Sequence, residues 1–270
     1  MENENKLIVA WWSGGVTSAV ACKMAIEQWG NAVRLVFIDT RNEHPDTERF
    51  LLDCEKWYSK EIERISSKKW DNIEEVWLET SCLNTAYGAP CSGQLKKDVR
   101  LKFEQENPNI TNQIFGFEKG EELRFERLKA VYSYANPVAP LIDKGLDKLD
   151  CIRLLNKEGI AIPVMYRLGF QNNNCFGTGC VRGGIGYWQK IAKEYPRKFY
   201  RMAAIERLLS YQEGKPITVL RDSRRDKNIF LVENRNFPLS RHIGQYKGRK
   251  PRKMVDCNGL CAIGKQATIF

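Results

Sequence analysis

Histidine and long apolar runs are what this sequence has least of. Among 270 residues only His44 and His242 are histidines, so catalysis centred on an imidazole is not expected. No apolar run approaches the ~20 residues that span a membrane, and the stretch 1–6 has neither the basic nor the apolar part of a signal peptide. We therefore expect a cytoplasmic protein whose nine cysteines act as thiols or metal ligands rather than as disulfides.

A strand, a glycine turn and a helix are predicted in direct succession near the N-terminus. Leu7–Trp12 is entirely apolar, as in a strand buried on both faces of a parallel sheet, and apolar residues recur at helical spacing after it. Gly14 and Gly15 allow a sharp turn and a close approach of the backbone to a ligand. Hydroxyl groups lie beside the unpaired N–H groups of the helix start, on Ser13, Thr17 and Ser18. The pattern predicts an anion site, with a plain glycine turn as the alternative.

Further strands and helices alternate along the chain, which predicts a doubly wound α/β fold with a mostly parallel sheet. The predicted strands are Val33–Ile38, Ile62–Ile65 and Gln113–Phe117, and the main predicted helices are Pro45–Tyr58, Gln94–Glu106 and Glu121–Tyr134. Ligands of such sheets lie beyond the carboxyl ends of the strands. Asp39 follows the second strand and can accept hydrogen bonds from a ribose or a base amine, while Asp46 or Thr47 can cap the next helix.

Two of these segments resemble the phosphoadenosine phosphosulfate (PAPS) reductases and their relatives, the PP-loop ATP pyrophosphatases. Residues 13–18 are similar to the Ser-Gly-Gly-x-Asp-Ser loop of these proteins, with Thr17 in place of the acid. Because Thr cannot supply the charge that holds Mg²⁺, the resemblance implies nucleotide binding and leaves ATP cleavage open. Residues 39–47 are similar to an Asp-Thr-Gly-x-x-x-Pro-Glu-Thr stretch, with Arg41 in place of the glycine.

Two later segments extend the resemblance over residues 7–182. Residues 116–127 look like a Gly-x-Arg-x-x-Glu-Ser-x-x-Arg loop in which Glu118 replaces the first arginine. Residues 139–175 follow the family's order of a Pro-Leu strand, here Ala139 to Leu141, then a helix, a proline, a Tyr-x-x-Gly loop and a cysteine. The resemblance implies an adenine nucleotide alpha hydrolase-like fold that binds ATP or PAPS, with Asp39 at the adenosine and Ser13, Gly14, Gly15, Thr17 and Ser18 at the phosphates.

Three cations are predicted to bind anionic groups of the nucleotide. Arg124 and Arg127 are three residues apart and share a helix face, where they can clamp a phosphate or sulfate. The alternative is an exposed basic face paired with Glu121. Lys96 stands near a predicted helix start, where a cation is unfavourable unless an anion is close.

The cysteines divide into two kinds. Cys22, Cys54 and Cys151 lie within apolar helical patterns and are predicted to be core residues. Two local pairs around glycines, Cys175 with Cys180 and Cys257 with Cys261, predict a four-thiolate site for a 4Fe-4S cluster or, alternatively, zinc.

Cys91 offers a different ligand set. It precedes Cys175 by 84 residues, which resembles the cysteine spacing of the iron-sulfur sulfonucleotide reductases. A cluster that includes Cys91 would leave Cys257 or Cys261 as a C-terminal nucleophile. We rank the quartet first. Cys91 then lies near the nucleotide, and Cys91 and Asp39 are the candidate catalytic residues. A protein without any metal is the third alternative.

Positive charge is concentrated near the C-terminus. Residues 221–253 contain 11 Lys or Arg and three acids, so this segment carries +8 of the formal net charge of +10 of the whole chain. Such a stretch suits a nucleic acid such as tRNA or DNA, or is a solubilising surface. We place a domain boundary between a PP-loop nucleotide-binding domain, 1–166, and a cysteine-bearing basic region, 167–270.

The resulting functional hypothesis is adenine-nucleotide-dependent sulfur chemistry with a nucleic acid as sulfur acceptor. A stand-alone sulfonucleotide (PAPS or APS) reductase and a non-catalytic nucleotide-binding regulatory module are the alternatives.

Overall fold

Five parallel strands form the central sheet of the chain, for which the computed structural model describes residues 6–85, 88–173, 175–222 and 227–254. Their order in space is β3-β2-β1-β4-β5. In chain order they are β1 (Leu7–Trp11), β2 (Val33–Ile38), β3 (Ile62–Ile65), β4 (Ile110–Ile114) and β5 (Pro137–Val138). All four strand pairings are parallel, so the predicted doubly wound α/β architecture is confirmed.

Helices flank the sheet and continue into the C-terminal region. They are α1 (Val16–Trp29), α2 (Asp46–Tyr58), α3 (Ile73–Thr80), α4 (Pro90–Ser92), α5 (Asp98–Glu106), α6 (Glu122–Val131), α7 (Pro140–Asp143), α8 (Lys148–Lys157), α9 (Val164–Arg167), α10 (Ile185–Glu194) and α11 (Pro196–Glu213). A π-helical turn, Gly93–Lys97, joins α4 to α5. None of the helices that the structure describes has the length and apolar character needed to cross a bilayer.

The two faces of the sheet are covered by different helices. Ile8 and Ala10 of β1 pack in a core with α1, α2 and α8, whereas Val9 and Trp11 pack in a second core with α5 and α6. This alternation is the physical reason that β1 is apolar at every position, as the sequence predicts for a strand buried on both faces.

A third core belongs largely to the C-terminal region. It joins residues 70–95, which include α3 and α4, to residues 165–254. Beyond α11 three short strands form a separate small sheet, β6 (Leu220–Asp222), β7 (Lys227–Phe230) and β8 (Arg241–His242). The boundary between residues 166 and 167 stays a prediction, and the third core includes segments from both sides of it.

Two predicted strands are displaced in the structure. The fourth strand is Ile110–Ile114 rather than Gln113–Phe117, because its polar first half pairs with β1 through the backbone and so lacks an apolar pattern. The segment from Ala139 to Leu141 is not a strand. The strand ends at Val138, and Pro140 occupies the first turn of α7, where its missing N–H is not needed.

Candidate functional site

The candidate site is a cleft at the point where the order of the sheet reverses. From β1 the chain adds β2 and then β3 on one side of the sheet, and it then adds β4 and β5 on the other side of β1. Loops that leave two such adjacent strands diverge and open a crevice at their carboxyl ends. The cleft is narrow, with about 10 Å³ of free volume, and is lined by Trp11, Ser13, Thr17, Phe115, Gly116, Phe117, Glu121 and Arg124.

The glycine turn after β1 adopts the conformation that an anion site needs. Gly14 has φ = +79°, in the left-handed region that favours glycine, and α1 begins directly after Gly15. The Ser18 hydroxyl accepts a hydrogen bond from the Ser13 N–H at 3.0 Å and donates one to the Gly15 carbonyl at 2.9 Å. Ser18 therefore shapes the turn, while the side chains of Ser13 and Thr17 line the cleft.

The loop after β4 lies directly against the start of α1. A Cβ atom on Gly116 would stand 2.7 Å from both the Cα and the backbone N of Ser18, and 3.0 Å from the carbonyl carbon of Thr17. Such distances leave no room for a side chain. Glycine at this position therefore lets the two loops close the cleft from opposite sides.

Two residues that the sequence analysis left without a role support the glycine turn. The Asn173 side-chain amide donates to the Gly14 carbonyl at 2.8 Å and to the Thr47 hydroxyl at 3.2 Å. The Val16 N–H donates to the Tyr166 hydroxyl at 3.4 Å. The resemblance marks a Tyr-x-x-Gly loop at Tyr166, but the sequence alone does not indicate that this loop reaches the glycine turn.

The two predicted arginines occupy different places. Arg124 lines the cleft, donates to Glu121 at 3.0 Å and packs over the Phe117 ring with its guanidinium carbon 4.8 Å from the ring centre. Arg127 is exposed on the same helix, α6, and does not line this cleft. Arg124 therefore pairs with Glu121, as one alternative from the sequence predicts, and it also lines the cleft.

Glu118, which stands at the family's first arginine, is buried and bridges distant parts of the chain. One carboxylate oxygen accepts from the Lys148 N–H at 2.5 Å, and the other pairs with the ammonium group of Lys253. Lys253 also lies 3.9 Å from Glu121. A cation from the C-terminal segment therefore lies beside the acids at this edge of the cleft.

The turn after β2 has a left-handed residue, Arg41, at the position where the resemblance has glycine. Arg41 has φ = +56°, and its N–H donates to Asp39 Oδ1 at 2.7 Å. Its guanidinium donates to the Trp70 carbonyl at 3.1 Å and to the Ser66 hydroxyl at 3.0 Å. The side chain thus anchors the segment before α3, and the left-handed strain at Arg41 is offset by these bonds.

A carboxylate of unusual pKa follows in the same turn. Glu43 accepts hydrogen bonds from the Thr40 hydroxyl at 2.7 Å and the Asn42 N–H at 3.0 Å. Burial raises the pKa of Glu43, the charge of Lys96 opposes this effect, and the neighbouring carboxylate of Asp39 adds to it. Two predicted site residues, Asp39 and Lys96, therefore act on one carboxyl group, and Lys96 lies in a π-helical turn of the kind often found at functional sites.

The glycine-rich segment 175–180 packs on this turn. The Asn42 carbonyl accepts from the N–H groups of Phe176 at 2.7 Å and Gly177 at 3.0 Å, and the Asn42 amide donates to the Thr178 hydroxyl at 3.0 Å. A Cβ atom on Gly177 would stand 2.2 Å from Asn42 Oδ1. The cysteine-bearing segment is therefore held at the carboxyl end of β2.

The cysteine predictions have separate outcomes. Cys175 and Cys180 are buried in the third core together with Cys91, and the Cys175 sulfur lies 4.0 Å from the Thr40 hydroxyl. Cys257 and Cys261 lie outside the described residues, so the quartet stays a prediction. Within the described ranges no three Cys, His, Asp or Glu side chains come together as metal ligands.

The cysteines predicted to be core residues are confirmed as such. Cys22, Cys54 and Cys151 are buried in the core around α1. Burial raises the pKa of the thiols of Cys54 and Cys151 to about 12. These thiols are therefore protonated at neutral pH and have the character of small apolar side chains.

The last basic residues cross the start of α10. The Gln189 side chain donates to the carbonyls of Tyr246 and Lys247 and accepts from the Arg249 N–H, and a Cβ atom on Gly186 would stand 2.3 Å from the Lys250 carbonyl oxygen. Exposed cations of this segment are Lys247, Arg249, Lys250, Arg252 and Lys253, the last of which pairs with Glu118. Arg224 and Arg225 lie outside the described residues.

Comparison with known proteins agrees with the N-terminal architecture. Residues 7–88, which hold the glycine turn and the turn after β2, match the phosphoadenosine phosphosulfate reductase domain. The chain is similar to this domain family over that segment. The match ends before the cysteine-bearing segment.

Two individual proteins are also similar to the chain. An uncharacterized protein of Methanocaldococcus jannaschii is 24% identical over 212 residues, which are 73% of this chain and 40% of that protein. The chain therefore spans less than half the length of this relative. The crystal structure of PAPS reductase from Candida auris in a phosphate complex has 15% sequence identity and a TM-score of 0.47, and the likeness covers 65% of this chain and 83% of that chain.

Proposed function

We propose that the chain binds an adenine nucleotide with its phosphate groups at the cleft between β1 and β4. The observation that carries the proposal is that Ser13, Thr17 and Arg124 line one cleft at the start of α1. Unpaired N–H groups and the dipole at a helix start stabilise an anion, and an arginine adds charge-assisted hydrogen bonds. Phosphate groups suit this chemistry.

The turn after β2 is proposed to hold the adenosine. Asp39 uses one carboxylate oxygen to accept from the Arg41 N–H, and its other oxygen is the proposed acceptor for a ribose hydroxyl or base amine. Lys96 is proposed to bind an anionic group of the nucleotide. Its charge already acts on Glu43, so it lies close to the turn that Asp39 begins.

The proposed reaction is sulfur chemistry that depends on the nucleotide, because residues 7–88 match the PAPS reductase domain. Cys91 and the cysteine-bearing segment 175–180 are the candidate sources of thiol or metal-thiolate groups, and Cys175 lies against the turn after β2. The alternative is a stand-alone sulfonucleotide reductase that releases sulfite from PAPS or APS with a thiol reductant. A regulatory module would bind the nucleotide tightly and show no turnover.

Titration and assay of the whole chain separate these outcomes. Purified protein is titrated calorimetrically with ATP, PAPS and adenosine 3′,5′-bisphosphate, and PAPS is then assayed for sulfite release with a dithiol. Binding of at least one nucleotide supports the site. Failure of all three to bind would contradict it, and sulfite release would select the reductase alternative.

The proposed metal site is tested by its ligands. If Cys175, Cys180, Cys257 and Cys261 hold one iron-sulfur cluster or zinc ion, replacing any one of them with Ser lowers the metal content of anaerobically purified protein. Cys54→Ser is the matched control, because Cys54 lies in the core around α1. A requirement for Cys91 together with dispensable Cys257 and Cys261 would instead select the reductase-like ligand set.

The sulfur acceptor is proposed to be a nucleic acid that binds through residues 221–253. Exposed cations at 247–252 support this proposal, whereas Lys253 is engaged with Glu118. Replacing Lys247, Arg249, Lys250 and Arg252 with Ala should lower the affinity for tRNA or duplex DNA and flatten its dependence on salt. Unchanged binding of both nucleic acids would contradict the assignment.

A further inference from the structure

Helix α11 presents an unusual face to solvent. Its exposed residues at helical spacing are Arg197, Tyr200, Arg201, Ala204, Arg207, Leu208 and Tyr211. None of these seven is acidic; of the two glutamates of α11, Glu206 is buried and Glu213 is exposed at the C-terminal end of the helix. Two aromatic side chains of this face, Tyr200 and Tyr211, are 62% and 77% exposed.

The C-terminal end of this face forms one wall of an open cleft. The other wall is the segment after β7, and the lining residues are Arg207, Leu208, Tyr211, Val232, Glu233, Asn234, Arg235 and Asn236. Arg207 donates to the Glu233 carbonyl at 2.8 Å, which fixes its guanidinium at the rim. The cleft thus combines two cations, one acid, two amides and an exposed aromatic ring.

The chemistry of these groups matches an unpaired nucleotide segment. An exposed tyrosine ring offers a platform on which a base stacks, and arginines beside it neutralise the backbone phosphates. Asn236 is exposed and can hydrogen-bond to a base edge, whereas Asn234 is buried and accepts from the Asn236 N–H at 3.2 Å. Arg201, nearer the N-terminal end of α11, is ion-paired with Glu74 at 2.6 Å. The arginines that line the cleft itself are Arg207 and Arg235.

We infer that the cleft between α11 and residues 232–236 binds single-stranded nucleic acid. Tyr211 is the stacking platform, and Arg207 and Arg235 are the phosphate contacts. This surface is separate from the nucleotide cleft and from the basic residues 247–252. The inference extends the nucleic-acid part of the proposed function by naming a second contact surface and the single-stranded form of the partner.

Fluorescence anisotropy with labelled 20-nucleotide single-stranded RNA and DNA, and with the matched duplex, tests the inference. We expect tighter binding of the single strands than of the duplex, because stacking on Tyr211 requires an unpaired base. Tyr211→Ala should weaken single-strand binding about tenfold, within the range found for loss of one stacked base. Tyr211→Phe keeps the ring and should bind as the wild type does.

Charge and exposure are controlled by variants on other surfaces. Arg235→Ala should reduce the slope of log affinity against log salt by about 0.7, the value for one phosphate contact on a single strand. Arg153→Ala removes one exposed charge from α8, and Tyr134→Ala removes a tyrosine ring that is 65% exposed beyond α6. Neither should change single-strand affinity by more than about twofold.

The outcomes distinguish this inference from the proposed function. Unchanged single-strand binding by Tyr211→Ala and Arg235→Ala would overturn the inference, while loss of binding on replacing residues 247–252 would still support the basic segment as the contact. Equal affinity for duplex and single strand would also overturn it, as would a wild-type protein that binds no nucleic acid. Titration of Tyr211→Ala with the adenine nucleotide is expected to match the wild type, because Tyr211 lies outside the nucleotide cleft.

Discussion

The parallel sheet and the C-terminal region satisfy their buried polar groups in different ways. In the sheet, backbone N–H and carbonyl groups pair with the neighbouring strands, so β1 can consist entirely of apolar residues. In the C-terminal region the strands have two to four residues, and a buried side chain, Glu206, accepts from the N–H groups of Val219 and Leu231, both at 2.8 Å. The sheet therefore distributes its stability over many similar bonds, whereas the C-terminal region depends on a few individual side chains.

The largest effect that this comparison predicts is at Glu206. Glu206→Ala leaves two buried N–H groups without their acceptor, and we expect the free energy of unfolding to fall by about 3 kcal/mol. Urea denaturation followed by circular dichroism measures the change. Glu213→Ala, at the exposed end of the same helix, should cost less than about 0.5 kcal/mol. Similar small losses for both variants would show that Glu206 does not hold the region together.

The same residue predicts a dependence of stability on pH. Burial raises the pKa of Glu206 to about 8, although the hydrogen bonds from Leu231 and Val219 act in the opposite direction. In the unfolded chain the pKa of a glutamate is about 4.3. Because the pKa of Glu206 is higher in the folded than in the unfolded chain, protonated Glu206 stabilises the fold. This contribution is complete below about pH 4.3 and is lost as the pH rises toward 8.

Comparison with a variant that does not titrate isolates this effect. The free energy of unfolding of the wild type minus that of Glu206→Gln should fall as the pH rises from 5 to 8, by no more than about 1.4 kcal/mol per pH unit. Urea titrations at several pH values measure it. A difference that is constant or grows over this range would contradict the raised pKa.

A smaller effect is expected where the two sides of the cleft meet. Gly116→Ala places a Cβ atom 2.7 Å from the backbone of Ser18, so the loop after β4 must move away from α1. We expect a loss of about 2 kcal/mol in stability and weaker nucleotide binding. Gly93→Ala is the matched control, because Gly93 has helical angles and no atom within 4 Å of its would-be Cβ. It should be neutral or stabilising, and equal losses in both variants would remove the steric explanation.

The smallest effect concerns the link between the two regions. Lys253→Met removes the cation that pairs with the buried Glu118, and we expect the free energy of unfolding to fall by about 1 kcal/mol. Arg252→Met, at the exposed neighbouring position, should change it by less than about 0.5 kcal/mol. Thermal denaturation of both variants measures the difference. If they are equally stable, the Lys253 pair does not tie the C-terminal segment to the sheet.

Much of the fold could be predicted because its elements are periodic in sequence. The strands Val33–Ile38 and Ile62–Ile65 are confirmed at their predicted bounds. The first half of β4 could not be found in this way, since Asn112 pairs with Ile8 through the backbone and the Thr111 hydroxyl donates to the Leu7 carbonyl at 3.4 Å, so neither polar residue adds to an apolar pattern. Periodicity reports on burial of side chains, and it is silent where only the backbone is used.

The candidate site could be predicted only in part, for a related reason. The glycine turn and Asp39 stand at strand ends, where local sequence indicates a ligand, and Arg124 is predicted from its three-residue spacing to Arg127 on one helix face. Asn173 and Lys253 reach the site from distant parts of the chain, 159 residues from Gly14 and 135 residues from Glu118. No local pattern encodes such contacts, so they follow only from the packing of the C-terminal region on the sheet.

The claim that the cleft between β1 and β4 binds an adenine nucleotide is tested most directly by calorimetric titration of Arg124→Ala beside the wild type. We predict that the wild type binds and that Arg124→Ala binds at least about tenfold more weakly, a loss of about 1.4 kcal/mol. Arg127→Ala, on the exposed part of α6, should show a smaller loss. Equal affinity of Arg124→Ala and wild type, or a folded wild type that binds no adenine nucleotide, would contradict the claim.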